Sequence, residues 1–300
     1  MNRLPFAVPG KFYRGNLHTH STRSDGTRAP AEVIATYRDS GYDFIALTDH
    51  FLERYGYPVV DTREFRTSTF TTLLGAELHG PRIEVGEPWH ILAVGLPLDF
   101  APPGPAESGP DIAARASDLG AFIGMAHPAW YTLTLADAMS LEACDAVEVF
   151  NQTAACDNDR GDSWYLSDLL SARGRRLFAY AADDAHFFKN RPDDRRAWIH
   201  VRSTDLTPES LLVALKAGHL YSSQGPRIED VRIDAGKIQI ECSPADAIIV
   251  AGRGPITQSR LGTGLTSASF SLDRFAGSYG RVTIIDAGGK RAWTNPFWLD

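Results

Sequence analysis

The stretch NLHTHSTRSDG, residues 16–26, sets His18 and His20 one residue apart and follows them with an acid, Asp25, in a glycine-containing turn. Side chains two apart on a β-strand point to the same face, so the two histidines can grip one ion together. Two structural histidines would give the same triplet. Working outward, the apolar run of FIALTDH (44–50) turns polar abruptly at Asp49 and His50. The same transition recurs in GAELHG (75–80), where Glu77 and His79 follow TLLGA, and in GMAHPAW (124–130) at His127. It recurs again in AYAADDAH (179–186), which ends in Asp183, Asp184 and His186. One such end is a cap or a turn, but several at the C-terminal ends of successive parallel strands converge on one face, the usual place of an α/β-barrel active site.

Between these ends the chain alternates apolar runs with amphipathic, helix-like segments as far as about residue 203, a pattern that predicts a parallel sheet or barrel. Strands are expected at 15–20, 44–49, 70–78, 89–96, 122–127, 146–151, 176–184 and 197–203. Helices are expected at 30–41, with Pro30 early and Gly41 late, and at 162–174 and 207–218, with Asp162 and Thr207 as caps. From about residue 225 the runs become short and β-like: IEDVRI, KIQIEC, AIIVAG, ASFSL and RVTIID, separated by turns such as DAGK. That change predicts a main domain over residues 1–224 and a small antiparallel, β-sandwich-like domain over 225–300. The segment 97–110 holds five prolines and two glycines, so it reads as an exposed connection or a substrate-covering lid.

A hydrophobic content of 43%, a charged content of 22% and a net charge of −7 describe an ordinary globular protein without a broad basic face for a nucleic-acid polymer. No segment is long and apolar enough to suggest a membrane span, and MNRLPFAVPGKFYRGN lacks the continuous apolar run of a signal peptide. Three cysteines, Cys144, Cys156 and Cys242, form no CxxC pair, so a reducing compartment, the cytoplasm, is expected.

Taken in order, HTHSTRSDG, TDH, the strand-end glutamate, HILAVG, AHP and DDAH resemble the polymerase and histidinol phosphatase (PHP) superfamily over residues 14–190. The resemblance implies a distorted (β/α)7 TIM-like barrel carrying two or three divalent ions. Transferred residue by residue, it assigns His18, His20, Glu77 and Asp184 to one metal and Glu77, His90 and His127 to a second, with Glu77 bridging. Asp25, His50 and His186 fall to the third. Asp49 and Asp183 match acids that orient ligating histidines. His90, near the start of its strand, reads by itself equally well as a core histidine, His79 as a neighbour flanking Glu77, and His200 and His219 as ordinary residues. WYLSDLLSARG, GPRIEDVRI, AIIVAGRG and GRVTIIDAGGKRAWTNPFWL further resemble the CehA/McbA-type branch of that superfamily, some of whose members hydrolyse aryl carbamates.

A nitrogen- and oxygen-rich ligand set without thiolates suits zinc, manganese or iron. The expected reaction is attack by a metal-bridging hydroxide on phosphorus, a phosphoesterase acting on a small, anionic phosphomonoester or phosphodiester. Attack on a carbamate or carboxyl ester carbon is the alternative. Glu77, His127, Asp184 and His186 are the expected catalytic residues. Arg23, Arg160 and Lys189 are candidate phosphate clamps or solvated surface charges, and Trp130 and Tyr131 line the pocket or pack beneath a loop. An amidohydrolase barrel would also open on HxH but normally lacks the early SDG acid and the TDH; a non-catalytic scaffold would have lost ligands that are all present here.

Overall fold

The computed structural model describes residues 4–300. In chain order its elements are β1 (Lys11–Asn16), α1 (Pro30–Arg38), β2 (Phe44–Leu47), β3 (His50–Phe51), β4 (Thr71–Arg82), β5 (Pro88–Val94), α2 (Gly109–Asp118) and β6 (Phe122–Met125). There follow α3 (Leu135–Ser140), β7 (Ala146–Asn151), α4 (Gln152–Asn158), α5 (Trp164–Ala172), β8 (Phe178–Ala182), β9 (Trp198–Ser203), α6 (Pro208–Lys216) and β10 (Leu220–Ser223). Only strands and a short 3-10 turn come after: β11 (Ile228–Asp234), β12 (Lys237–Gly252), β13 (Thr257–Ser271), β14 (Tyr279–Ile285), β15 (Arg291–Thr294) and β16 (Phe297–Trp298).

These strands form one large mixed sheet, ordered β11-β12-β14-β15-β10-β9-β1-β2-β4-β5-β6-β7-β8 along its main path. β1, β2 and β4 are parallel, as are β6, β7 and β8, and within these sets β2 and β6 are apolar runs buried on both faces. The sheet curves until the chain beyond β8 meets the chain beyond β1: Thr19 and Ala185 form a parallel bridge, and the Asp184 amide donates to the His18 carbonyl at 2.9 Å. Gly15 permits this curvature locally, since a Cβ there would overlap the ring of Phe44.

Two strands depart from the expected parallel pattern, β5 and also β9, which runs antiparallel to β1. β5 runs antiparallel to both β4 and β6, because only residues 83–87 separate it from β4 and a parallel crossover needs a dozen or more. The proline-rich segment ends in a helix start: Ser108 Oγ accepts from the Asp111 amide, and Pro110 lies in the first turn of α2, where its missing N–H costs nothing. Thr207 caps α6 as expected, whereas α5 has Ser163 at its cap position, with the Asp162 carboxylate accepting from the Trp164 amide instead. KIQIEC and AIIVAG belong to a single strand, β12, whose register shifts between Glu241 and Ala247.

β11 to β14 enclose an apolar cluster built on Ile238, Ile240, Ile248, Val250, Phe275 and Val282, to which Phe6 and Tyr221 contribute from earlier in the chain. β15 pairs with β10 and sends Trp293 the other way, against Phe150 and Trp164. Arg281 grips Asp168 of α5 with two nitrogens at 3.0 and 2.9 Å, and buried Asn295 accepts from the Ala179 amide and donates to the Gly218 carbonyl. The C-terminal strands are thus hydrogen-bonded into the same sheet and into the helices behind it.

Candidate metal centre

Polar residues gather where the parallel strands end. Beyond β1 the chain stays extended through His18, Thr19 and His20, all fully buried, because the Thr19 amide donates to Thr48 Oγ1 and the Thr19 hydroxyl to the Ala46 carbonyl. Alternation then turns both histidines to one side. A tight turn closed by the Gly26 amide on the Ser21 carbonyl brings Asp25 back towards them. His50 opens β3, beside Glu77 of β4 in register, and His79 follows Glu77 on the same face. His90 stands opposite His79 across the β4–β5 hairpin. The antiparallel course of β5 is what delivers a histidine from a strand's beginning to the place where its neighbours end.

His127 and Asp184 come just after β6 and β8, and both hold left-handed backbone angles, with φ of 23° and 54°. Such angles cost about 1–3 kcal/mol for a residue with a side chain and persist where surrounding contacts fix them. Here the His127 amide donates to Glu148 Oε2 at 2.6 Å, and Asp184 is held by the His18 carbonyl.

Fully buried Glu77 is the centre of the group. Its Oε1 lies 2.7 Å from His90 Nδ1 and 3.1 Å from His127 Nε2. Its Oε2 lies 2.7 Å from His50 Nδ1 and 3.6 Å from the Nε2 atoms of both His18 and His20. Asp184 Oδ1 is 2.8 Å from His20 Nε2 and 3.3 Å from His18 Nε2. On the open side, Asp25 faces His50 Nε2 at 3.3 Å and His186 Nε2 at 3.4 Å. All nine residues assigned to metals from the sequence therefore meet in one cluster. Their ligand atoms fall into overlapping groups, each lying within 4.8 Å: His18, His20 and Glu77; His18, His127 and Asp184; Glu77, His90 and His127; and His20, Asp25, His50 and His186. A further group joins His79 to His50 and Glu77, with His79 Nε2 only 2.9 Å from His50 Nδ1, so His79 is a candidate ligand as well as a neighbour.

The donor set fits divalent cations. Burial opposes charge on Glu77, Asp184 and Asp25, yet the facing imidazoles hold all three carboxyls well below the usual carboxylate range. Burial, together with the charges of His186 and His50, pushes His20 down to about 4, whereas Glu77 and Asp25 overcome burial and raise His50 to about 10. Imidazoles crowded at such separations cannot all be charged, and some are forced to present lone pairs. Two buried atoms 3.6 Å apart, His18 Nε2 and Glu77 Oε2, make close polar approaches but no well-aligned hydrogen bond, an arrangement that a cation between them satisfies.

Asp49 and Asp183 do not orient histidines directly. The Asp49 carboxylate accepts from the Ser21 amide and from the hydroxyls of Ser21 and Ser24, bracing the turn that carries Asp25. Asp183 accepts from Tyr37 Oη and the amides of Arg195, Arg196 and Ala197, and its burial pushes it up to about 7. The acid that does reach an imidazole is Glu148 on β7, fully buried, with Oε1 3.1 Å from His18 Nδ1. Its only mark in the sequence is a lone acid inside the apolar run AVEVFN.

At the mouth, half-buried Trp130 sets its ring 5.6 and 5.2 Å from those of His90 and His127, Tyr55 stacks on His50, and Phe188 on His186, whereas Tyr131 is buried in the apolar core with its ring against the same two histidines. Asp157 ties this lip together, accepting from Trp130 Nε1 and pairing with Arg191. Arg23, Arg160 and Lys189 are exposed, and among the described residues none of their side chains hydrogen-bonds or ion-pairs with the cluster. His200 and His219 lie outside it; His200 accepts from Trp198 Nε1 and stacks on Tyr221.

No family model matches the sequence. In fold, the chain is similar to a two-domain protein from Bacteroides vulgatus that contains a predicted PHP-like metal-dependent phosphoesterase. The TM-score is 0.54 over 94% of each chain, at 14% identity. The likeness at that identity is one of fold. An amidohydrolase from Chromobacterium violaceum solved with bound sulfate aligns over 57% of this chain and 87% of its own at a TM-score of 0.40 and 16% identity, too low to weigh. In sequence, 116 residues are 32% identical to an uncharacterised protein of Methanocaldococcus jannaschii, covering 38% of this chain and less than half, 45%, of that protein. Among the described residues no helix is long and apolar enough to cross a membrane.

Proposed function

We propose that this chain is a metal-dependent hydrolase of the PHP superfamily, in its CehA/McbA-type branch, with a distorted (β/α)7 barrel over residues 1–224 and a small antiparallel β domain over 225–300. Its reaction is hydrolysis of a small phosphomonoester or phosphodiester in the cytoplasm, on an anionic substrate and without a nucleic-acid polymer or membrane as partner. One observation carries the reading: histidines at strand ends scattered from residue 18 to residue 127 converge on both oxygens of a single buried carboxylate, Glu77, and Asp184 and His186 close on the same histidines.

His18, His20, Glu77 and Asp184 would hold one ion, Glu77, His90 and His127 a second, and Asp25, His50 and His186 a third, making two to three ions of zinc, manganese or iron. Bound there, such ions supply Lewis acidity and lower the pKa of a water towards neutrality. Glu77 keeps the first two positions at a fixed spacing by giving each an oxygen. His127 and Asp184, clamped at their left-handed backbone angles, present their ligand atoms without reorganisation. Asp25 is the most exposed of the nine, so its group meets the substrate first, with His186 beside it. Arg23, Arg160 and Lys189, exposed on surface segments and unbonded to the cluster, are the candidate clamps for the anionic group.

The aromatic lip of Tyr55, Trp130 and Phe188, and the lack among the described residues of a cationic side chain bonded to the cluster, favour a second reading on the same metals: hydrolysis of a carbamate or carboxyl ester with an apolar body. The metal-loaded protein assayed with p-nitrophenyl phosphate, bis-p-nitrophenyl phosphate and an aryl N-methylcarbamate separates the two. We expect turnover of a phosphate ester; turnover of the carbamate alone overturns the phosphoesterase reading.

A further inference from the structure

Glu148 is a carboxylate at zero exposure in the middle of a strand whose neighbours, Val147 and Val149, are also buried. A lone buried carboxylate is costly unless its oxygens are matched by donors. Glu148 has three partners, each leading into the cluster: His18 Nδ1 at 3.1 Å on Oε1, and the His127 amide at 2.6 Å and Asn151 Nδ2 at 2.9 Å on Oε2. Asn151 Nδ2 also lies 3.1 Å from Asp184 Oδ2. In a regular strand, residues 148 and 151 would point to opposite faces, because their separation is odd. The pairing of β7 with β8 shifts register between Glu148 and Phe150, and this bulge turns both side chains to the same side. The irregularity thus joins an acid and an amide into one unit touching three of the nine candidate ligands: the His18 ring, the His127 backbone and the Asp184 carboxylate.

We propose that Glu148 and Asn151 are a positioning pair that fixes His18 with its proton on Nδ1 and its Nε2 free for a metal, and holds His127 and Asp184 in their left-handed turns, so that the two ion positions sharing Glu77 are set before any ion arrives. This rests on the reading that the cluster binds divalent ions. The chemistry is directional. A carboxylate accepts from all three donors at once, and its charge strengthens His18 as a ligand through the ring. A glutamine at 148 has one acceptor oxygen and one donating nitrogen. Whichever way it turns, an N–H group faces either His18 Nδ1, moving the histidine's proton to the ligating nitrogen, or the His127 amide and the Asn151 amide, which have nothing to accept with. Asn151 also caps α4 through Oδ1 on the Ala154 amide, a task that serine performs as well.

The test is Mn²⁺ affinity and stoichiometry by competitive chelator titration, with the visible spectrum of the Co²⁺-loaded protein, on wild type, Glu148→Gln and Asn151→Ser. For Glu148→Gln we expect about a 10- to 100-fold loss of Mn²⁺ affinity and a changed Co²⁺ spectrum, while the metal-free melting temperature moves little. Asn151→Ser is expected to lose affinity by a smaller factor in the same direction and decides the matter should Glu148→Gln fail to fold. Variants that bind Mn²⁺ with wild-type affinity and stoichiometry and leave the Co²⁺ spectrum unchanged overturn the positioning role while leaving the hydrolase reading intact. A wild type that binds no stoichiometric metal overturns both.

Discussion

The strand ends around Glu77 and the sheet from β11 to β16 are built on opposite principles within one molecule. At the first, histidines and carboxylates lie buried and in contact, some braced by residues far away in sequence, as His18 is by Glu148 and Asp184 by Asn151. In the second, isoleucine, valine and phenylalanine fill the interior, and the charges of β11 lie at the surface. No histidine occurs after His219. The contrast teaches where this fold spends its stability. Apart from Ala235 in the β11–β12 turn, the non-glycine residues held at left-handed angles and the unpartnered buried polar atoms lie on the first side, and well-packed apolar strands are tied to it by Trp293, Asn295 and Arg281.

The sharpest way to break the polar side is Glu77→Gln. It removes the charge shared by two groups of ligands, and we expect turnover to fall at least about 100-fold and two equivalents of metal to be lost, as read by kinetics and elemental analysis. Unchanged activity would refute the bridging role. Trp293→Ala attacks the link instead. Deleting this buried ring is expected to cost about 3–5 kcal/mol in urea unfolding, as one shifted transition by circular dichroism. Two separated transitions would show that the regions unfold independently.

The smallest effect concerns His200 on β9, between the two regions. Burial, with the charges of Arg14 and Arg227, pushes it down to about 3. Between its ordinary pKa of about 6.5 and that value, the unfolded chain binds the proton and the folded one does not. This residue's contribution is therefore complete above pH ~6.5 and is lost as pH falls, at no more than about 1.4 kcal/mol per pH unit. His200→Gln keeps an acceptor for Trp198 but cannot titrate, and we expect a flatter stability curve over that window by pH-dependent urea unfolding. An unchanged slope removes His200 as the source.

Much of this contrast is legible in the sequence. Parallel strands buried on both faces appear as unbroken apolar runs such as FIAL and FIGM, and their polar ends mark the cluster. The direction of β5 is obscured because the alternation of WHILAV is the same in either orientation; the short connection after Arg82 was the available signal. Pro244 and the register shifts around it split β12 into two apparent strands. Glu148 is hidden because one acid among valines carries no spacing, and Asp49 and Asp183 are easily misread because adjacency to a histidine in sequence does not fix which donors a carboxylate meets. The lip of Tyr55, Phe188, Asp157 and Arg191 comes from a 3-10 turn, helix α4 and the segment after His186, and has no local signature.

The β4–β5 hairpin has a consequence for how the molecule comes to exist. Glu77 meets His90 across a separation of 13 residues, whereas His20 and Asp184 are 164 apart. Loop-closure entropy rises with separation, so the central carboxylate can find its first imidazole in an early, local hairpin, while the other members of the cluster wait for the chain to return from β8 to β1. The centre of the cluster is then a folding seed, and its rim is sealed last.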